Sequence, residues 1–115
     1  MAALLHKGVS GDPTAVPATQ ALAMATENGA SALGWNNCGR IKTGLQADLV
    51  ILNLDKPHLT PLYHPLEALV YSAQASDVET VLVAGRVLME QRQLLTIDEE
   101  KVRYEANRIA EKFHA

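Results

Sequence analysis

The chain has a single cysteine, Cys38, among its 115 residues. No internal disulfide can form, and such sparing use of cysteine fits a reducing compartment. Aromatic residues make up 4% of the chain against 48% for all hydrophobic types, so any core rests on Ala, Leu and Val. No basic stripe exists: 10 Lys and Arg face 13 Asp and Glu, for a formal net charge of −3. That balance excludes nucleic acid as the main partner, because backbone phosphates would find no cations, and it disfavours an anionic membrane surface. No apolar run approaches the ~18 residues of a membrane span. No segment has the charged start, apolar middle and small-residue cleavage site of a signal peptide. These absences predict a soluble, cytoplasmic chain of one domain or part of one.

Recognisable catalytic sets are missing as well. The four histidines are His6, His58, His64 and His114. None forms a His-x-His pair or an i, i+4 helical pair, the spacings that bring two metal ligands together. His58 and His64 share a proline-punctuated stretch, where surface histidines are the ordinary expectation and a loop metal site is the alternative. Cys38 has no histidine near it in sequence, so an inert, part-buried thiol is expected rather than a nucleophile. Gly39 and Gly44 precede a strand, and no Gly-Lys-Ser/Thr follows, so they are turn glycines rather than a phosphate loop. Asp48 stands between a turn and a strand, well placed to accept from backbone amides. Asp98, Glu99 and Glu100 read as the start of a helix, where the helix dipole favours negative charge. The expected set of catalytic, cofactor-binding and metal-binding residues is therefore empty.

What the chain does have is a strand and its surroundings. Leu49-Val50-Ile51-Leu52 is the densest aliphatic run. Four consecutive aliphatic residues without alternation predict a strand buried on both faces, with neighbours on both edges. Gly39 to Lys42 is expected as a short strand leading into it through a turn at Thr43-Gly44. Val78, Val81, Leu82 and Val83, then Ala84-Gly85-Arg86, then Val87, Leu88 and Met89 read as a hairpin. A second turn near Gln91-Arg92-Gln93 leads to Leu94-Leu95. Met1 to Lys7 predicts a short helix closing at Gly8, and Val9 to Val16 a loop. Pro17 opens the next helix, with Ala21, Leu22, Met24 and Ala25 on its apolar face. Asn28 is the expected cap of a further short helix over Ala30 to Leu33, closing at Gly34. Pro57, Pro61 and Pro65 mark an extended connection. Leu66 to Ala73 is compatible with helix or strand, and Pro65 at a first-turn position favours helix, with Leu66, Leu69 and Val70 inward. Thr96 and Glu99 have the spacing of a capping box for a last helix, whose face is Val102, Ala106, Ile109 and Phe113.

Three separated blocks together carry a resemblance. They are Ala-Thr-Glu-Asn-Gly-Ala-Ser-Ala-Leu-Gly (25–34), Gly-Arg-Ile-Lys-Thr-Gly-Leu-Gln-Ala-Asp-Leu-Val (39–50) and Val-Leu-Val-Ala-Gly-Arg-Val-Leu (81–88). In this order they resemble the C-terminal end of the amidohydrolase superfamily. Leu-Leu-His-Lys near the start, Pro-His-Leu-Thr-Pro-Leu-Tyr (57–63), Leu-Val-Tyr-Ser-Ala (69–73) and Ser-Asp-Val (76–78) are most similar to the methylthioadenosine/S-adenosylhomocysteine deaminases and chlorohydrolases.

That resemblance implies an α+β segment: helices that follow a TIM barrel, the C-terminal half of a small composite β-sandwich, and a terminal helix. It divides the chain into a helical remnant of the barrel at 1–35 and a partial sandwich with its helix at 36–115. It implies a metal-dependent hydrolase acting on non-peptide carbon–nitrogen bonds, or on a carbon–halogen bond. Family members hold zinc or iron through a His-x-His pair, two later histidines and an aspartate. None of these matches a position here, so the segment is expected to hold no cofactor, to begin beyond the aspartate, and to be inactive alone. A free-standing structural or interaction module derived from that fold is the alternative. The expected partner is the missing barrel portion or further copies of the chain, in a homo-oligomer.

Overall fold

The computed structural model describes residues 1–113. Helix α1 (Ala2–Ser10) is followed by α2 (Ala18–Ala25) and α3 (Glu27–Ala32). Strand β1 (Leu49–Leu52) comes next, then α4 (Pro65–Tyr71), β2 (Val78–Val83), β3 (Arg86–Glu90), β4 (Gln93–Leu94) and α5 (Glu99–Glu111). Single 3-10 turns occupy Pro57–Leu59 and Ala75–Asp77. The four strands form one antiparallel sheet in the order β1-β2-β3-β4. Helices α1, α3 and α4 all pack against α2. Among the described residues no helix is long and apolar enough to cross a membrane.

The helix ends differ from the expected ones in instructive ways. Helix α1 runs through Gly8 and Val9 and stops at Gly11, whose φ of 69° places it in the left-handed region that ends helices. The Gly11 amide donates to Lys7 O, and the Lys7 ammonium reaches past the cap to Pro13 O at 2.7 Å and Ala15 O at 2.6 Å. A Lys7 ammonium tied to the loop beyond the helix favours the stop there rather than at Gly8. Asn28 lies inside α3 rather than capping it; the chain breaks at Thr26, whose hydroxyl donates back to Leu22 O. Thr96 does not cap α5. Asp98 does, its Oδ1 accepting from the Lys101 amide at 3.0 Å. Pro65 opens α4 as expected.

Strand β1 departs furthest from expectation. Among the described residues it has one neighbour, β2, paired as Leu49 with Leu82, Val50 with Val81 and Ile51 with Thr80, before a bulge sets Leu52 against Val78. Val50 is 55% exposed and Ile51 53% exposed. The strand is therefore an uncovered edge of the sheet. The short strand expected over 39–42 does not form. Those residues are loop, held by a turn from the Leu45 amide to Lys42 O and by the Gln46 amide on Asn37 O.

The hairpin forms as its pattern predicts. Ala84 and Gly85 have φ of 50° and 76°, the left-handed pair of a two-residue turn matched to strand twist. Ala84 is strained there, and Asp48 offsets the strain: its Oδ1 accepts from the Ala84 amide at 2.7 Å, while the Gly85 amide donates to Ala47 O. Asp48→Ala is expected to destabilise the hairpin by about 1 kcal/mol, the net worth of one partly exposed hydrogen bond. Faster amide exchange at Ala84 would register it.

Little of the chain is covered. Among the described residues the buried hydrophobic side chains are Ala3, Ala18, Ala30 and Leu59. The Cα radius of gyration is 18.4 Å, whereas a compact chain of this length has about 13 Å.

Candidate functional site

One polar group is built into the interior. Asp77 is 1% exposed. It ends the second 3-10 turn and leads into β2. Its Oδ2 accepts from the Gln74 amide at 2.8 Å and from His58 Nε2 at 2.9 Å. Its backbone carbonyl accepts from the Asn53 amide at 2.8 Å. Asp77 thus joins three segments remote in sequence: the end of β1, the proline-punctuated connection and the start of β2. Arg92, at φ 65°, closes the same corner from the β3–β4 turn, its Nη1 donating to Ser76 O at 2.6 Å and Val78 O at 3.2 Å.

The Gln74 amide, and then the His58 ring, hold the Asp77 carboxyl below its ordinary value of 3.8. The sign of the pH effect follows. A carboxylate with a lowered folded value stabilises the folded state above the ordinary value, and that contribution is lost as pH falls through the lowered one. Loosening of the corner is thus expected only below about pH 3.8. Amide exchange at Gln74 across an acid titration checks it; loosening already at pH 5 would contradict it.

The remaining expected residues scatter. His6 is exposed on α1. His64 caps the start of α4, and with His58 it lines a cleft of about 300 Å³ that also holds Tyr63, Glu67 and Tyr71. His114 lies outside the described residues. Cys38 is part-buried, its Sγ 3.9 Å from Trp35 O. Among the described residues no three His, Cys, Asp or Glu side chains stand close enough to hold a metal ion. A zinc site needs at least three such ligands, and the His58–Asp77 pair supplies two groups already bonded to each other. These residues do not fit a metal.

The sequence reading missed Asp77 and Arg92. A signal for Asp77 was available: Gln74 and Asp77 have the three-residue spacing of a capping box, which they form. Its pairing with His58, 19 residues away, left no local trace.

Larger than this corner are three uncovered apolar surfaces. A groove of about 500 Å³ runs between α1, α2 and α4, lined by Met1, Leu4, Leu22, Met24, Leu69 and Val70. The second is the free edge of β1. The third is α5, whose Val102 and Ile109 are exposed, as is Phe113 just beyond its end.

Residues 1–88 match the amidohydrolase family. The chain belongs to that family. It is 54% identical over 110 residues to the 5-methylthioadenosine/S-adenosylhomocysteine deaminase of Dictyoglomus thermophilum, a match covering 96% of this chain and 26% of that protein. It is 50% identical over 114 residues to the 5'-deoxyadenosine deaminase of Methanosarcina mazei, covering 99% and 26% respectively. Among solved structures, an adenosine deaminase from Xanthomonas campestris with bound zinc superposes with a TM-score of 0.90 at 37% identity, over 98% of this chain and 26% of that one. Atrazine chlorohydrolase from Arthrobacter aurescens, complexed with zinc, superposes with a TM-score of 0.81 at 27% identity, over 92% and 24%. The chain thus spans about a quarter of the length of the relatives it matches.

Proposed function

We propose that these residues form the C-terminal part of a hydrolytic deaminase acting on an adenosine-type nucleoside or thionucleoside. The observation that carries the reading is identity of about one half to two kinds of deaminase, along almost the whole chain. In this reading residues 1–35 complete the end of a TIM barrel, and 36–115 supply the C-terminal share of a composite sandwich and a terminal helix. The enzyme is cytoplasmic. Its metal, zinc or iron, and the groups that attack the purine carbon and release ammonia belong to the remaining three quarters. The chain's own contribution is to pack against that part and hold its shape.

The test is turnover. The isolated chain, supplied with zinc or iron, is expected to release no ammonia from 5'-methylthioadenosine, S-adenosylhomocysteine or 5'-deoxyadenosine above the chain-free control. The chain joined to the other three quarters of a family enzyme is expected to deaminate at least one of them. Enzyme-like turnover by the chain alone, or none by the completed protein, would sink the proposal.

A further inference from the structure

Two of the chain's three tyrosines stand in one place. The cleft of about 300 Å³ beside α4 is lined by Tyr63 and Tyr71 together with His58, His64 and Glu67. Two prolines shape its walls: Pro57 opens the 3-10 turn that carries His58, and Pro65 starts α4. On α4, Glu67 and Tyr71 are four residues apart and so share one face. The opposite wall is fixed from behind. Leu59 is buried, and His58 Nε2 lies 2.9 Å from Oδ2 of the buried Asp77. That bond settles the chemistry His58 can offer. A ring nitrogen set against a carboxylate carries the proton, so in the neutral imidazole Nδ1 is left as an acceptor. Glu67 is in none of the ion pairs among the described residues, and no Lys or Arg lines the cleft. The cleft thus offers acceptors, one formal negative charge and two electron-rich rings, with no cation to answer them.

We propose that this cleft binds a small organic cation with N–H donors, of the class of protonated amines and amidines. The cation pairs with the Glu67 carboxylate and donates to His58 Nδ1, while the rings of Tyr63 and Tyr71 face its positive charge. The cleft's volume is at the small end of ordinary ligand pockets and takes a molecule of about one ring. Its walls are held by the proline turns and by Asp77 before anything binds, so little order is lost on binding. An anion fits less well, because Glu67 repels it and no Lys or Arg pairs with it. A metal ion fits less well because three ligands do not converge there. The site lies outside the reaction proposed above and stands or falls without it.

Benzylammonium is the probe, titrated against the full 115-residue chain in a buffer alkaline enough to keep imidazole uncharged. Amide chemical shifts are expected to saturate and to stay confined to residues 58–72. Benzyl alcohol, the uncharged analogue, is expected to bind about 5-fold more weakly. Benzyltrimethylammonium, which keeps the charge and lacks N–H donors, is expected to bind about 3-fold more weakly. Glu67→Gln, which keeps the shape and loses the charge, is expected to raise Kd about 3-fold, and Tyr71→Leu about 2- to 5-fold. Both side chains are exposed, so neither change unfolds the chain. Glu100→Gln on α5 is the control expected to leave Kd unchanged. Shifts that spread along the chain without saturating, equal affinity for benzyl alcohol, or a Kd indifferent to Glu67→Gln would each overturn the proposal. Equal affinity for benzyltrimethylammonium would overturn the assignment of N–H donors to the ligand.

Discussion

Asp77→Ala should speed amide exchange at Gln74 by about 10-fold, because the charged acceptor that holds this part-buried amide is removed, a bond worth about 1.5 kcal/mol. Two donors converge on Oδ2 of this carboxylate, the Gln74 amide and His58 Nε2. Removing it orphans both. The damage should spread along the chain. His58 lies in the turn Pro57–Leu59, and Leu59, next to it, is the one large aliphatic side chain among the buried hydrophobic residues described. Once His58 is unlatched, residues 56–64 should become cleavable by a nonspecific protease. Asp77→Asn provides the graded control. Its carbonyl oxygen still accepts from Gln74, but the charge that strengthens the His58 contact is gone. Protection at Gln74 should survive in large part while cleavage at 56–64 increases. Equal loss of Gln74 protection in the two variants would mean that the retained carbonyl does not hold that amide, and unchanged cleavage at 56–64 in Asp77→Asn would mean that the charge on His58's acceptor contributes nothing to the latch.

Gly39→Ala is expected to be the most damaging of the glycine substitutions, at roughly 2–4 kcal/mol. Gly39 has a φ of +83°. A Cβ there would stand 2.9 Å from Ala30 Cβ, 3.0 Å from Glu27 Cα and 3.0 Å from Thr26 O. Two of these atoms are backbone and cannot yield, so the loop must withdraw from α3. Gly44→Ala isolates the cause. Its φ is +88°, and nothing lies within 4 Å of the added carbon. It should show only the left-handed backbone penalty, about 1–2 kcal/mol. The difference between the two, read from urea midpoints on the assembled protein, measures how tightly the loop is pressed onto α3. Equal midpoints would refute that contact.

Local chemistry made the hairpin legible. The β-branched run, the glycine at the turn and the returning run all act within a dozen residues, and Asp48 received its amide as its position suggested. Helix α4 followed from Pro65 in the same way. Helix ends were less legible, because several residues compete for each cap. Gly8 and Gly11 were both admissible stops for α1, and the choice fell to Lys7 reaching two carbonyls beyond the helix, a contact absent from propensity. Thr96 and Asp98 competed for α5, and the better-placed acceptor won. Least legible were features that depend on distant chain. The Asp77–His58 pair joins residues whose separation says nothing of contact. The aliphatic run at 49–52 raised an expectation of cover on both sides that the structure does not meet, with Val50 and Ile51 more than half exposed. It could not signal that the cover is absent from these 113 described residues, because a demand and its satisfaction are written in different places. Family membership was legible, since it rests on blocks of residues in order rather than on how they pack.

The bare edge of β1 also sets a race. A freshly made chain carries four aliphatic residues without a charge, flanked by hydrogen-bonding groups that any extended peptide can answer. Stacking of this edge against the same edge of another copy is second order in the chain, so it grows steeply with concentration wherever the edge stays uncovered. High concentrations of the uncovered chain should therefore yield fibrils rather than a pool of idle monomer, and Ile51→Lys, a charge on the bare edge, should suppress them.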